Sequence, residues 1–314
     1  MNKKIIFLVA IIAVLVIALQ KVSSKKTIMV GTSSWPGWDL FEHAQKKGDP
    51  LANYNLKFTR FNEYNDILNA FINNTIDMAT VTLHEALVIQ SKIKDPVRII
   101  LLLDYTIGSD AILAHSTTEF LHQLKGKTVG TEKNTVAYYT LLRGLEKANL
   151  SKEDIIIKDL SLDELLTQFK QKKLDAISLY DPYLFELTSF TKNVSTLFSS
   201  KEIPREICDV VIVRQSLLQH HPTIISNVRK NWFNITSKAL PFKKLTDPIY
   251  TDKRYITHVR KNIYFANQNE NNYAFGTPQQ PGYLKSSIAR IQKFLAAESD
   301  IRLNPSIVDS MVVY

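Results

Sequence analysis

The residues with chemistry to offer gather first in the stretch 124–145, LKGKTVGTEKNTVAYYTLLRGL. Thr128-Val129-Gly130 reads as a short buried strand that stops on glycine. Asn134 has the side chain of a helix N-cap, accepting from a free amide in the first turn. From there Tyr138, Leu141, Leu142 and Leu145 recur at helical spacing. A strand, a polar loop and a helix start make a pocket for a small polar ligand, and the free amides and helix dipole favour an acceptor or an anion. Motifs for covalent or metal chemistry fail on spacing. Gly126-Lys127-Thr128 has Leu121 where a phosphate loop needs glycine, and it enters a strand rather than a helix. His84-Glu85 opens like a zinc-protease helix, but Val88 stands where the second histidine belongs. His220-His221 has no nearby acid or thiol partner, and no Gly-x-Ser-x-Gly elbow occurs. Cys208, the only cysteine, lies in an apolar run as a core thiol and excludes an internal disulfide. No catalytic residue, metal site or cofactor is expected.

The chain has 314 residues, 45% of them hydrophobic, enough for one large domain or two ordinary ones. Its formal charge is +9, of which Lys3, Lys4 and Lys21 supply three. The remaining basic residues are scattered, which reads as a solvated surface rather than a nucleic-acid face. Lys3 and Lys4 precede an unbroken apolar run over 5–19, followed by the small residues Val22, Ser23 and Ser24. That is the layout of an export signal. The run is shorter than the roughly 20 residues that span a bilayer. Cleavage after Ser24 or retention as an anchor both place the body outside the inner membrane. No cysteine follows the run, so a lipoprotein anchor is not expected.

The elements that must position a site follow a strand-then-helix rhythm. Strands are expected at 27–30, 56–61, 76–81, 97–103 and 110–115, with helices between them. The rhythm restarts with strands at 128–130, 155–160, 174–179 and 194–198, and returns with 207–213. Helices are expected at 222–240, 255–266 and 283–297, separated by polar stretches that include 267–272. Such alternation predicts parallel βαβ units in covered sheets. Two runs, with a crossing near 115 and a return near 207, predict a two-lobed α/β protein with a central cleft. Its parts are residues 1–24 as signal or anchor, 25–115 as the first part of lobe 1, 116–206 as lobe 2, and 207–314 returning to lobe 1. Loops at the carboxyl ends of the strands then line the cleft.

Three stretches carry a family likeness: MVGTSSWPGWDLFEHAQKKG, INNTIDMATVTLHEAL, and LKGKTVGTEKNTVAYYTLLRGLEKANL followed by QKKLDAISLYDPYLFEL. Together they resemble the extracytoplasmic solute-binding proteins of the nitrate/sulfonate/taurine/thiamine-precursor class, with a type II periplasmic-binding fold. The resemblance covers about residues 27–215, and the remainder by pattern only. It implies capture of a small solute by lobe closure, delivery to an ABC permease and ATPase in the inner membrane, and a monomer in the periplasm or at the extracytoplasmic membrane face.

The binding loops of the family map onto 33–38, 80–84, 104–109, 131–138 and 180–183. In the first, Ser33 and Ser34 precede Trp35 and Trp38, either of which offers a stacking face or plain packing. Thr80 and Thr82 offer hydroxyls to a ligand or cap a helix. Thr131, Asn134, Thr135 and Tyr138 lie in the fourth, where Asn134 and Thr135 can meet ligand and cap the helix at once, and core packing is the alternative for Tyr138. Tyr180 and Asp181 follow a strand; Asp181 either caps the helix that Pro182 starts or faces the cleft, where it would favour an amine or ring N–H. Asp104 has the same two readings. These loops hold Lys133 and no arginine, while Asp39, Asp104 and Asp181 lie in or near them. The solute is therefore sulfonate/taurine-like or pyrimidine/amine-like, with the balance away from a bare inorganic anion. Two other functions remain open: a solute sensor acting through a partner, and an enzyme like those of thiamine-pyrimidine synthesis. The enzyme is disfavoured because the cysteine-rich motif is missing.

Overall fold

Apolar runs of this chain pair into two sheets in the computed structural model, which describes residues 25–49, 54–298 and 301–314. The expected signal or anchor, 1–24, lies outside the described residues. Among these residues no helix is long and apolar enough to cross a membrane. The strands are β1 (Lys26–Thr32), β2 (Tyr54–Arg60), β3 (Met78–Thr82), β4 (Val97–Thr106), β5 (Asp110–His115), β6 (Thr128–Thr131), β7 (Ile156–Asp159), β8 (Ala176–Tyr180), β9 (Val194–Ser199), β10 (Cys208–Arg214) and β11 (Ile263–Phe265). The helices through the second lobe are α1 (Pro36–Lys47), α2 (Tyr64–Ile72), α3 (Leu83–Lys92), α4 (Val136–Lys147), α5 (Leu162–Lys170) and α6 (Tyr183–Phe190). The C-terminal set is α7 (Gln215–His220), α8 (Ile224–Thr236), α9 (Lys253–Asn262), α10 (Gln268–Phe275), α11 (Tyr283–Glu298) and α12 (Pro305–Asp309).

The first sheet has the order β11-β4-β10-β3-β1-β2, the second β7-β6-β8-β5-β9. Nine of the ten residues of β4 are buried, as a strand covered on both faces requires. β1, β2 and β3 run parallel, as do β6, β7 and β8. The sheets are mixed rather than purely parallel. The returning β10 is antiparallel to both β3 and β4, and β5 is antiparallel to β8 and β9.

Three expectations need correction. β5 pairs within the second sheet, so the chain crosses between Thr106 and Asp110 rather than near 115. The hydrophobic content of 110–115 is the same for either sheet, and only pairing settles its membership. The run 255–266 is not one helix: α9 ends at Asn262 and β11 adds to the edge of the first sheet beside β4. Ile263-Tyr264-Phe265 has the β-branched and aromatic side chains that suit a strand. The polar stretch 267–272 starts a helix, α10, capped by the Asn267 side chain. The second crossing, 200–207, leads from β9 into β10.

Candidate functional site

The centre of the cleft is built on β10. Asp209 stands in register with Thr82 of β3 on one side and Asp104 of β4 on the other. Residues opposite each other on neighbouring strands project to the same face, so the two carboxylates emerge side by side. The register shifts between Asp209 and Val210, a bulge of the kind that re-aims side chains at a sheet end. The start of α1 packs over the pair. Trp35 Nε1 donates to both oxygens of Asp104 at 3.3 Å, and Trp38 Nε1 donates to Asp209 Oδ1 at 2.9 Å. Pro36 occupies the first turn of the helix, where its missing amide costs nothing. Gly37 is there because a Cβ would lie 1.7 Å from Asp104 Oδ2.

The second lobe answers with its own register pair, Asp110 on β5 opposite Tyr180 on β8. The Tyr180 ring stacks on Tyr64 of α2 at 4.6 Å with planes 9° apart, one ring from each lobe. Tyr64 also packs against Trp38 at 4.8 Å. Tyr180 donates through its hydroxyl to Glu132, which takes a second bond from Asn65 of α2. Glu85 of α3 accepts the Val136 amide at the start of α4. The lobes are thus joined across the cleft by rings and by carboxylates. Between them the lobes leave a narrow cavity, about 180 Å³ of empty space with no room for a water-sized sphere. Trp35, Tyr64 and Tyr180 give it aromatic walls, Asp209 and Asp110 give it acid, and Thr82, Val136 and Ile207 complete the lining.

The electrostatics are one-sided. Burial pushes the Glu85 and Asp110 carboxyls up to about 7 and Glu132 up to about 8. Burial also raises Asp104 and Asp209, and the Asp104 charge raises Asp209 further. Asp209 and Asp110, 2% and 1% exposed, each present a buried Oδ2 with no hydrogen-bond partner among the described residues. Among the described residues no lysine or arginine lines the cavity.

Of the residues singled out in the sequence, Trp35, Thr82 and Tyr180 line this cavity. Trp38 and Asp104 stand behind it, holding Asp209 and Trp35. Thr80 bonds Gly31 and Thr32 within the first lobe, and Ser34 accepts from Arg60. Ser33, Thr131 and Tyr138 are buried outside the lining. Asn134 is not the N-cap: it adopts a left-handed backbone, φ 64°, a conformation that Asn tolerates. Thr135 caps α4 instead, accepting from Ala137. Asp181 is not the N-cap of α6, a position that Pro182 holds; it lies one residue earlier, accepts the Phe185 amide, and its other oxygen meets His258 Nε2 of α9 at 2.7 Å. Asp39 is held by Arg60 and Tyr250, away from the lining. Sequence reasoning missed Tyr64, Asp110, Asp209, Glu85 and Glu132. An aspartate inside or beginning a strongly apolar run, as in ICDVVIV and DAILAH, is the signal that would have found two of them.

No curated protein sequence matches the chain. Among solved structures, the alkanesulfonate-binding protein of Xanthomonas axonopodis pv. citri bound to MOPS superimposes with a TM-score of 0.69 at 16% identity, covering 91% of this chain and 98% of that one. The periplasmic aliphatic sulphonate-binding protein of Escherichia coli gives 0.68 at 16% identity, with 93% of each chain covered. The ligand-binding component of an ABC-type import system from Staphylococcus aureus gives 0.67 at 14% identity, covering 91% and 99%. These likenesses establish the two-lobed type II periplasmic-binding fold. A family model described as "NMT1/THI5 like" matches residues 53–231, more than half of the chain and the span that holds Tyr64, Asp104, Asp110, Tyr180 and Asp209. By fold and by that match, the chain belongs to the NMT1/THI5-like family.

Proposed function

We propose that the protein is the extracytoplasmic solute-binding component of an ABC importer, and that its solute is a small nitrogenous ring or amine carrying positive charge or N–H donors. The observation that carries the solute class is the pair of unpartnered, buried oxygens of Asp209 and Asp110 in a cavity walled by three aromatic rings. An unpaired buried acceptor is costly, and a donor from the ligand relieves that cost. Aromatic faces add attraction for a cation or a planar ring. A metal ion is a poorer fit, since among the described residues no three of His, Cys, Asp and Glu converge on one point.

The solved relatives named for sulfonates suggest an oxyanion instead, but an oxyanion would meet Asp209 and Asp110 with no lysine or arginine in the lining to offset them. A thermal-shift screen of amines, aminopyrimidines, taurine, alkanesulfonates and nitrate tests this. A ligand at about 100 times its Kd stabilises by roughly 2.7 kcal/mol. Stabilisation by the amine or pyrimidine class supports the reading; stabilisation by sulfonate or nitrate alone overturns the solute class.

A further inference from the structure

Two helix N-termini, one from each lobe, converge on a single carboxylate. Glu85 Oε2 accepts the Thr82 amide at the start of α3 at 2.9 Å, and Oε1 accepts the Val136 amide at the start of α4 at 3.4 Å. The residue is fully buried, and both Thr82 and Val136 line the cavity. Free first-turn amides and the positive end of the helix dipole attract an anion. Where two such ends point at one place in a cleft, a bound oxyanion would gain most from the protein. The Thr82 contact is half of a capping box and has a local explanation. The Val136 contact has none: it crosses the cleft to a helix start 51 residues away, in the other lobe.

We propose that Glu85 is a specificity-determining residue whose carboxylate takes, from within the protein, the place of a solute's anionic group. Its two carboxyl oxygens accept the amides that the two helix starts offer and fill the place where an oxyanion would sit. Small sulfonates and sulfate are thereby shut out, while Asp209 and Asp110 remain facing the cavity. This rests on the cleft being the solute site, as proposed above, and not on the solute being a cation.

The test uses the full chain and its Glu85→Ala and Glu85→Gln variants, titrated calorimetrically with methanesulfonate, with inorganic sulfate and with an aminopyridinium salt. Glu85→Ala opens the space and both amides, and is expected to bind methanesulfonate at least tenfold more tightly than the wild type. Glu85→Gln keeps the volume and loses the charge, and is expected to show a smaller gain in the same direction. It decides the matter should Glu85→Ala lose its fold by circular dichroism. Wild-type protein that binds methanesulfonate as tightly as the variants overturns the proposal, as do folded variants with no gain. The aminopyridinium arm separates the two readings. Variants that gain sulfonate binding, beside a wild type that ignores the aminopyridinium, support the role of Glu85 and overturn the cation reading.

Discussion

Asp104 and Asp209 sit in register on adjacent antiparallel strands, and each is held by its own tryptophan: Trp35 donates to Asp104, and Trp38 to Asp209. Two carboxylates thus lie buried together, with indole N–H groups rather than cations as their partners. Asp104 is consumed by this arrangement, whereas Asp209, which lines the cavity, keeps one buried oxygen with no hydrogen-bond partner among the described residues. The pair divides structure from proposed function: one aspartate anchors the tryptophan wall, and the other is the one we propose meets the solute.

Replacing Asp209 by Asn should move stability and binding in opposite directions. The neutral amide removes the repulsion within the pair, so ligand-free protein should melt higher at pH 8. Solute affinity should fall by about thirty-fold or more, the equivalent of the roughly 2–5 kcal/mol lost when one partner of a buried charge pair is removed. Thermal denaturation and calorimetric titration of the same preparation read both effects. A fall in both would mean that Asp209 is a structural residue.

The pH dependence follows from the raised carboxyls. In the folded state Glu85 and Asp110 titrate at about 7 and Glu132 at about 8, against ordinary values near 4 in the unfolded chain. Folded protein therefore binds more protons than unfolded protein between about pH 4 and pH 8. Its stability is fully present below that window and is lost as pH rises through it, by about 3 kcal/mol for Glu85 taken alone. Melting of ligand-free protein at pH 5 and pH 8 should show the higher midpoint at pH 5. Cation binding should tighten over the same range and release protons, seen as a dependence of the calorimetric heat on the buffer's own ionisation enthalpy.

Gly37→Ala should be costly although it lies in a helix, where alanine ordinarily helps. Its Cβ would fall 1.7 Å from Asp104 Oδ2, so either the first turn of α1 or the Asp104–Trp35 contact must give way. Denaturant unfolding should show a loss of about 1–3 kcal/mol, the range for overpacking a close contact. An unchanged midpoint would contradict the packing described here.

Tyr64→Ala removes the lobe 1 half of the ring stack that bridges the cleft. Aromatic pairs contribute about 0.5–1.5 kcal/mol beyond their buried area, and Tyr64 also carries a cavity wall. The variant should have a larger radius of gyration by small-angle scattering and weaker solute binding. Identical scattering from wild type and variant would show that this stack does not hold the lobes together.

The fold was readable because its strands and helices are local patterns: apolar runs of four to ten residues, and stripes such as Tyr138, Leu141, Leu142 and Leu145. Even so, β5 was given to the wrong lobe, since DAILAH is equally apolar in either sheet. The site was less readable for a related reason. Trp35, Thr82 and Tyr180 sit at strand ends, where position alone suggests a ligand. Asp209 and Asp110 lie within or at the start of buried strands, and only pairing across the sheets reveals that they face one cavity. Asn134 and Thr135 are adjacent and both suit a helix cap, so the backbone rather than the residue type decided between them. Arg60, from the far end of β2, reaches Ser34 and Asp39, a contact that no reading of the loop itself contains.

The most direct test of the central claim is calorimetric titration of wild-type protein at pH 8 with an aminopyridinium salt and, separately, with methanesulfonate. The account predicts saturable binding of the cation, abolished in Asp209→Asn, and no binding of the sulfonate. Saturable binding of methanesulfonate with none of the cation would contradict it.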